Sequence, residues 1–133
     1  MKLITKDTDY AIKSLCAIAE VNRIVSVPEL VEILDIPRPF LRKILQTLHK
    51  KGFLISVKGH GGGFKTGISL SEITLSDMMH VFQGPLELND CLLHKDACPD
   101  IKNCLLRKKI SGIEKKMTEK IKSITLESLV RVS

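Results

Sequence analysis

The sequence predicts a mainly α-helical protein that contains one small β hairpin and a long helix near its C-terminal end. Three observations lead to this prediction. Hydrophobic residues make up 44% of the 133 positions but aromatic residues only 4%, a composition that favours helices packed through aliphatic side chains. Apolar residues recur at helical spacing in several segments. One glycine-rich stretch, GHGGG at residues 59–63, separates two short runs that are typical of strands.

Two helices are predicted before residue 35. Residues 8–22 carry apolar side chains on most faces, which indicates a mostly buried helix, and Cys16 is expected to fill space on its buried side. Ser26 and Glu29 have the spacing of a capping box, so a short second helix should cover residues 27–34.

A third helix should begin near Arg38 and end at Gly52. Pro37 separates it from the second helix, because the residue before a proline avoids the helical region. Its inner stripe has the spacing of a helix face that packs on a core, and consists of Leu41, Ile44, Leu45 and Leu48. Two helices joined by so tight a turn are typical of a helix-turn-helix.

A β hairpin should follow that third helix directly. Residues 53–57 and 64–66 are the predicted strands, and the glycines between them form the turn. We call residues 53–66 the wing, since a hairpin in this position makes a winged helix-turn-helix. The stretch from Gly59 to Thr66 nearly matches a phosphate-binding P-loop, but Phe64 occupies the position of its second glycine and argues against nucleotide binding.

The positive charge of the protein is concentrated in residues 38–65, which we call the acid-free segment. It holds seven Lys and Arg residues and no Asp or Glu, whereas the other 105 residues hold 14 basic and 15 acidic ones. A solvated surface would explain a charge run by itself, but the position on a helix-turn-helix and wing favours DNA as the partner. We expect Gly62 to adopt a positive φ in the turn. The predicted DNA-binding residues are Arg38, Arg42, Lys43, Gln46, Thr47, Lys50, Lys58, His60, Gly61, Gly62 and Lys65.

Two further helices are predicted after the wing. Thr74 and Asp77 form a second capping signal, for a helix that runs to about Phe82 and is closed by a Gly-Pro pair. A long helix from Leu105 onward carries an apolar seam of Ile110, Ile113, Met117, Ile121 and Ile124. A domain this small leaves the seam little to pack against, so we expect a partner subunit there. The predicted organisation is a DNA-binding domain (residues 1–84), a cysteine-containing loop (85–104), and a dimerisation helix with a C-terminal tail (105–133).

Three cysteines, Cys91, Cys98 and Cys104, lie in that polar loop with the spacing C-x6-C-P-x4-C. The first residues lack the apolar stretch of a signal peptide and no apolar run approaches membrane-spanning length, so we expect a cytoplasmic protein without a membrane partner. In that compartment a cysteine cluster argues against structural disulfides and for metal ligation or redox chemistry. Thiolates suit zinc or an iron–sulfur cluster, and the spacing alone does not choose between them. Three free thiols are the simplest alternative.

Four motifs together resemble the Rrf-two family of winged-helix regulators, whose cluster-binding members include the IscR and NsrR types. They are KLITKDTDYAIKSL, PRPFLRKILQTLHKKGFL, VKGHGGGF and the three-cysteine segment that ends in CLLR. The resemblance implies a homodimer that is joined through its long C-terminal helices and binds an inverted repeat in double-stranded DNA. Lys58 matches a wing residue that enters the minor groove. Arg42 stands where the IscR type has an acidic residue, so the operator class of that type is not carried over.

The resemblance also implies an iron–sulfur cluster near the dimer interface, for which we favour 4Fe–4S over 2Fe–2S, with the three cysteines as ligands. The IscR type takes a fourth ligand from a histidine three residues after the third cysteine, but Arg107 stands there. The NsrR type takes it from an aspartate in an N-terminal motif that Asp9 matches. A first-turn carboxylate favoured by the helix dipole is the alternative explanation for Asp9, and His94 is the alternative ligand.

The resulting interpretation is a transcriptional regulator, expected to be a repressor, that senses nitric oxide, redox state or iron–sulfur status through its cluster. The alternative is a regulator of the same fold that has no cluster and responds through thiol oxidation or a partner protein. An enzyme is the third hypothesis, and it is disfavoured because no recognisable catalytic motif accompanies the cysteines.

Overall fold

The computed structural model of the protein describes residues 2–88 and 104–130, and their elements are mostly helical. Two short 3-10 helices, Leu70–Glu72 and Leu126–Leu129, accompany the main elements. The prediction of a mainly helical fold with a hairpin and a long C-terminal helix is confirmed. The helices are α1 (Lys6–Val21), α2 (Val27–Leu34), α3 (Arg38–Lys50), α4 (Leu75–Phe82) and α5 (Leu105–Ser123), and the antiparallel strands are β1 (Leu54–Val57) and β2 (Gly63–Thr66).

Helix α1 begins two residues earlier than predicted, because Thr5 caps it. The Thr5 hydroxyl accepts a hydrogen bond from the Thr8 backbone N–H at 3.4 Å. At the other end Asn22 adopts the left-handed conformation, and its N–H donates to the Ile18 carbonyl. The prediction missed the start of the helix because it followed apolar periodicity and did not consider Thr5 as a cap.

The two predicted capping boxes have different outcomes. In α4 both halves form, since Thr74 accepts from the Asp77 N–H at 3.1 Å and Asp77 accepts from the Thr74 N–H at 2.9 Å. In α2 the Ser26 hydroxyl accepts from the Glu29 N–H, but the Glu29 carboxylate pairs with Arg23. The Arg23 guanidinium holds the pKa of the Glu29 carboxyl below its usual value.

The core lies between α1 and the helix-turn-helix, and α1 is packed against α2, α3, α4 and β2. All four residues of the predicted inner stripe of α3 are buried, so that stripe is confirmed. The largest fully buried side chains come from α1 to α4, β1, the second 3-10 helix and two connecting segments: Leu15, Ile18, Leu30, Leu41, Leu45, Leu48, Leu54, Ile73, Met78, Leu126 and Val25, together with the polar Thr8. No helix in the described ranges is long and apolar enough to span a bilayer.

The segment after α5 belongs to this core, although the sequence assigned residues 105–133 to a separate dimerisation unit. Leu126 is fully buried, and its N–H donates to the Ile73 carbonyl at 2.8 Å. The Leu75 N–H likewise donates to the Ile124 carbonyl at 2.9 Å. The prediction separated the residues after α5 from residues 1–84 because one apolar residue after a helix carries no periodic signal. The segment after α5 therefore packs against elements within residues 1–84.

Gln83 joins the end of α4 to the beginning of α1. Its side-chain oxygen accepts hydrogen bonds from the Thr5 N–H at 3.0 Å and from the Thr8 hydroxyl at 2.7 Å. Its side-chain nitrogen donates to the Leu3 carbonyl at 2.8 Å. The buried Thr8 hydroxyl is thereby satisfied, and the N-terminal arm is fixed against the end of α4.

Leu126→Ala should lower the free energy of unfolding by about 2–5 kcal/mol, because it leaves a cavity in the winged-helix core. Leu129→Ala is the matched control in the same 3-10 helix, where Leu129 is 46% exposed. Its cost should stay below about 1 kcal/mol. Urea unfolding at one fixed protein concentration measures the free energy of unfolding of both variants. A loss for Leu126→Ala as small as that for Leu129→Ala would show that Leu126 is not part of the core.

Candidate nucleic-acid interface

Helix α3 presents its polar face to solvent, opposite the buried stripe. Arg42, Lys43, Gln46 and Lys50 are all exposed. Thr47 lies on the same face but is half-buried, and its hydroxyl donates to the Lys43 carbonyl at 3.0 Å. The four exposed side chains are therefore available to a ligand, whereas the Thr47 hydroxyl is already engaged by the helix backbone.

Strand β2 of the wing is bonded to the helical body on its second edge. Phe64 and Val25 exchange two backbone hydrogen bonds, each of 2.8 Å, so that Val25 extends the hairpin as a third short strand. The Phe64 ring packs against the core and meets the His49 ring edge-on, with centroids 6.5 Å apart. The His49 Nδ1 atom lies 3.2 Å from the Leu54 carbonyl oxygen. The interpretation of Phe64 as an anchor is confirmed.

The glycines of the turn are needed for two different reasons. Gly59 and Gly61 have φ values of 95° and 76°, a region that side chains rarely adopt. The prediction that Gly62 adopts a positive φ was wrong, because in the turn Gly59, Gly61 and Gly63 have positive φ values and Gly62 does not. The constraint on Gly62 is steric. A Cβ atom there would lie 2.3 Å from the Val57 carbonyl oxygen, and one on Gly63 would lie 2.2 Å from that of Val25.

The basic side chains of the acid-free segment surround this hairpin and helix. Lys58, His60 and Lys65 are exposed on the wing, and Arg38 is exposed where α3 begins. Among the described residues the ion pairs are Lys13 with Asp9 and Arg23 with Glu29, and neither involves this segment. The helix face and the wing therefore form one positively charged surface that no acidic side chain in residues 2–88 and 104–130 neutralises, and such a surface suits a polyanion.

The predicted cluster ligands are only partly within the described residues. Cys91, His94 and Cys98 lie outside them. Cys104 is half-buried at the position before α5, and Asp9 is in the first turn of α1, where its carboxylate lies 2.9 Å from the Lys13 ammonium. In the described ranges no three His, Cys, Asp or Glu side chains converge as a metal site would need. The ligand set stays a prediction.

Cys16 differs from the loop cysteines in its environment. It is half-buried on α1 and packs against the core. Burial, with a smaller contribution from the Glu20 carboxylate, raises the pKa of its thiol. A thiol that resists ionisation is a poor metal ligand and a poor nucleophile, so Cys16 acts as a packing residue.

Comparison with known proteins identifies the family. The Rrf-two (Rrf2) family, described as an iron-dependent transcriptional regulator, matches residues 4–132. A protein of Aquifex aeolicus (strain VF5) named as an HTH-type transcriptional regulator is 31% identical over 134 residues, which cover 98% of this chain and 93% of that protein.

Two solved structures have a similar fold. IscR of T. potens superposes with a TM-score of 0.74 at 21% identity, covering 97% of this chain and 85% of that one. CymR of B. subtilis, described as the global cysteine regulator of that organism, has a TM-score of 0.74 at 22% identity, covering 97% and 96%. With the family match over nearly the whole sequence, the chain belongs to the Rrf2 family of transcriptional regulators.

Proposed function

We propose that this protein is a homodimeric regulator that binds an inverted repeat in double-stranded DNA, and that an iron–sulfur cluster on its three loop cysteines controls that binding. The observation that carries the DNA-binding part is the surface formed by α3 and the wing. It is basic and exposed, and no described acidic side chain pairs with it. Its rigid attachment through Val25 and Phe64 supports this role, since the two elements must reach DNA together.

Each element of this surface has a distinct part in the proposal. Helix α3 enters the major groove, where Arg42 and Gln46 reach base edges and Lys43 and Lys50 meet phosphates. The wing lies beside the backbone, with Lys58 at the minor groove. Because Gly61 carries no side chain, the backbone of the turn can approach the sugar-phosphate chain closely.

Substitutions in α3 and in the wing should impair DNA binding in different ways. Arg42→Ala should relax preference at one or two base positions and cost about 1–3 kcal/mol there, because a base contact is lost. Gly62→Ala should weaken binding to all sequences alike, because its Cβ would collide with the Val57 carbonyl and displace the wing. Affinities measured across a library of operator variants distinguish the two patterns.

A matched control keeps that comparison interpretable. Lys51→Ala removes a charge next to α3 that we do not place at the DNA, and it should leave base preference unchanged. Thermal unfolding of each variant shows whether the domain remains folded. If Arg42→Ala and Gly62→Ala changed the affinities across the operator library in the same way, the proposal that α3 contacts bases and the wing contacts the backbone would be refuted.

The proposed dimer rests on the exposed half of α5. Ile121 packs into the domain, so the C-terminal end of the predicted seam is covered within the subunit. Towards the N-terminal end Ile113 is 49% exposed and Leu106 is 68% exposed, while Ile110 and Met117 are only half-buried. Contiguous apolar side chains on one helix face are typical of a subunit interface. A second copy of α5 is the occupant that a symmetric dimer provides.

Ile113→Glu should convert the dimer to a monomer, because it buries a charge in the interface. Ser111→Glu introduces the same side chain on a different face of α5 and should leave the dimer intact. Sedimentation velocity across a range of protein concentrations measures the change. A dimeric Ile113→Glu variant would place the interface elsewhere.

The donor chemistry supports a cluster at the loop. Three thiolates are the ligands that iron–sulfur clusters prefer, and Arg107 cannot complete the set because a guanidinium only donates. Asp9 offers an oxygen whose described partner is a surface ammonium, and its side chain is 46% exposed. Its bond to iron would be the weakest of the four. When bound, the cluster supplies redox and nitric oxide reactivity, while Asp9 would tie it to α1.

A cluster-free regulator is the second candidate, and one observation favours it. The fold resembles CymR as closely as IscR, and CymR of B. subtilis is named a cysteine regulator. The same three cysteines would then act through thiol oxidation. The visible spectrum and the iron and sulfide content of anaerobically purified protein separate the candidates, since thiols alone give neither.

Asp9→Ala should retain the dimer but alter the spectrum or shorten the lifetime of the cluster, because one ligand is lost. Asp7→Ala is the matched control, since Asp7 is also a first-turn carboxylate of α1. It should leave both properties unchanged. Cys104→Ala should abolish the cluster, and Cys16→Ala should spare it. If Asp9→Ala matches the parent while His94→Ala does not, His94 is the fourth ligand.

A further inference from the structure

The ammonium group of Lys6 lies over two aromatic rings at the start of α1. Its Nζ atom is 5.6 Å from the centre of the Tyr10 ring and 5.7 Å from the centre of the Phe40 ring. Both distances fall within the range of a cation–π contact. Tyr10 belongs to α1 and Phe40 to α3, so Lys6 connects the first helix to the recognition helix. It lies outside the acid-free segment that predicted the DNA contacts.

Phe40 places this ammonium group beside the DNA-facing surface. It stands in the first turn of α3 and is 53% exposed. Lys43 follows three residues later, so the two side chains lie on the same flank of the helix. Because the Phe40 ring is exposed, burial contributes little to its stabilising effect. Its face instead stabilises a cation next to the side chains that we propose to contact bases. Lys6 therefore extends the basic surface along one flank of α3.

The first turn of α1 acts on the Lys6 ammonium in two opposite ways. Lys6 is the first residue of α1, where the helix dipole disfavours positive charge. Asp9, three residues later, pairs with Lys13 at 2.9 Å. The helix dipole thus opposes Lys6 while the carboxylates of Asp7 and Asp9 favour it, and the two rings place its ammonium group towards α3.

The backbone beneath Lys6 is held in place. Thr5 caps the helix, and Gln83 accepts from the Thr5 N–H and from the Thr8 hydroxyl at 3.0 and 2.7 Å. The start of α1 is thereby fixed relative to the body of the domain. A side chain attached to a fixed backbone loses less conformational entropy when it binds an anion than a side chain on a mobile terminus would.

We propose that Lys6 is a further DNA-contacting residue, which binds a backbone phosphate at the edge of the major groove that α3 enters, with Phe40 as its platform. This inference rests on the proposed DNA-binding function. In a helix-turn-helix the helix before the recognition helix crosses the DNA backbone, and a phosphate at that edge of the groove would lie next to Phe40 and the Lys6 ammonium. The contact reads no sequence, so it adds affinity without specificity.

The test is the salt dependence of binding to a mixed-sequence DNA duplex of about 30 base pairs, measured for the parent dimer and for Lys6→Gln. Loss of one phosphate contact per subunit should reduce the log–log slope by about 1.8 for the dimer and weaken binding on the order of tenfold at low salt. Lys6→Arg should restore the slope. Phe40→Leu, which keeps apolar volume without an aromatic face, should give an intermediate slope.

Two controls separate the possible outcomes. Lys13→Gln removes an α1 lysine that is paired with Asp9, and its slope should equal that of the parent. Lys58→Gln removes a wing contact and should reduce the slope. If Lys6→Gln keeps the parental log–log slope while Lys58→Gln has a smaller one, the inference about Lys6 is overturned and the proposed DNA-binding function is retained. If the parent shows no salt-dependent binding, the proposed function itself fails.

Discussion

The two backbone hydrogen bonds between Val25 and Phe64 are the constraint on which the DNA-binding surface depends. A two-stranded hairpin is only marginally stable by itself, and here a third strand segment and a half-buried phenyl ring fix it to the domain. The close approach is possible because Gly63 has no Cβ to meet the Val25 carbonyl. The same feature explains why the glycine-rich stretch is not a P-loop: Phe64 faces the core and its glycines shape a turn.

A continuous set of contacts links this surface to the point where the cysteine loop begins. Gln83 stands just before that loop and holds the start of α1 through Thr5 and Thr8. Lys6, which follows Thr5, lies over Phe40 in the recognition helix. Hydrogen bonds and one cation–π contact thus connect Gln83 with the first turn of α3.

Local chemistry made much of this fold predictable. The inner stripe of α3, the caps at Ser26 and Thr74, and the strands around the glycine turn are each set by neighbours within a few residues, so periodicity and capping rules suffice. What the sequence could not indicate depends on distant partners. Leu126 returns to the core from the far end of the chain, and the Glu29 carboxylate pairs with Arg23 instead of completing its box. The basic surface was predictable from the charge run together with the predicted helix-turn-helix and wing, whereas the contact of Lys6 with Phe40 depends on the fold.

The central claim is that α3 and the wing form a polyanion-binding surface that a dimer presents twice. The most direct measurement is the affinity of the parent protein for a DNA duplex as a function of salt concentration. Neutralisation of about six to ten phosphates by the dimer predicts a log–log slope of about −5 to −9. A slope near zero would contradict the account, because a surface with this charge cannot bind DNA without releasing counterions.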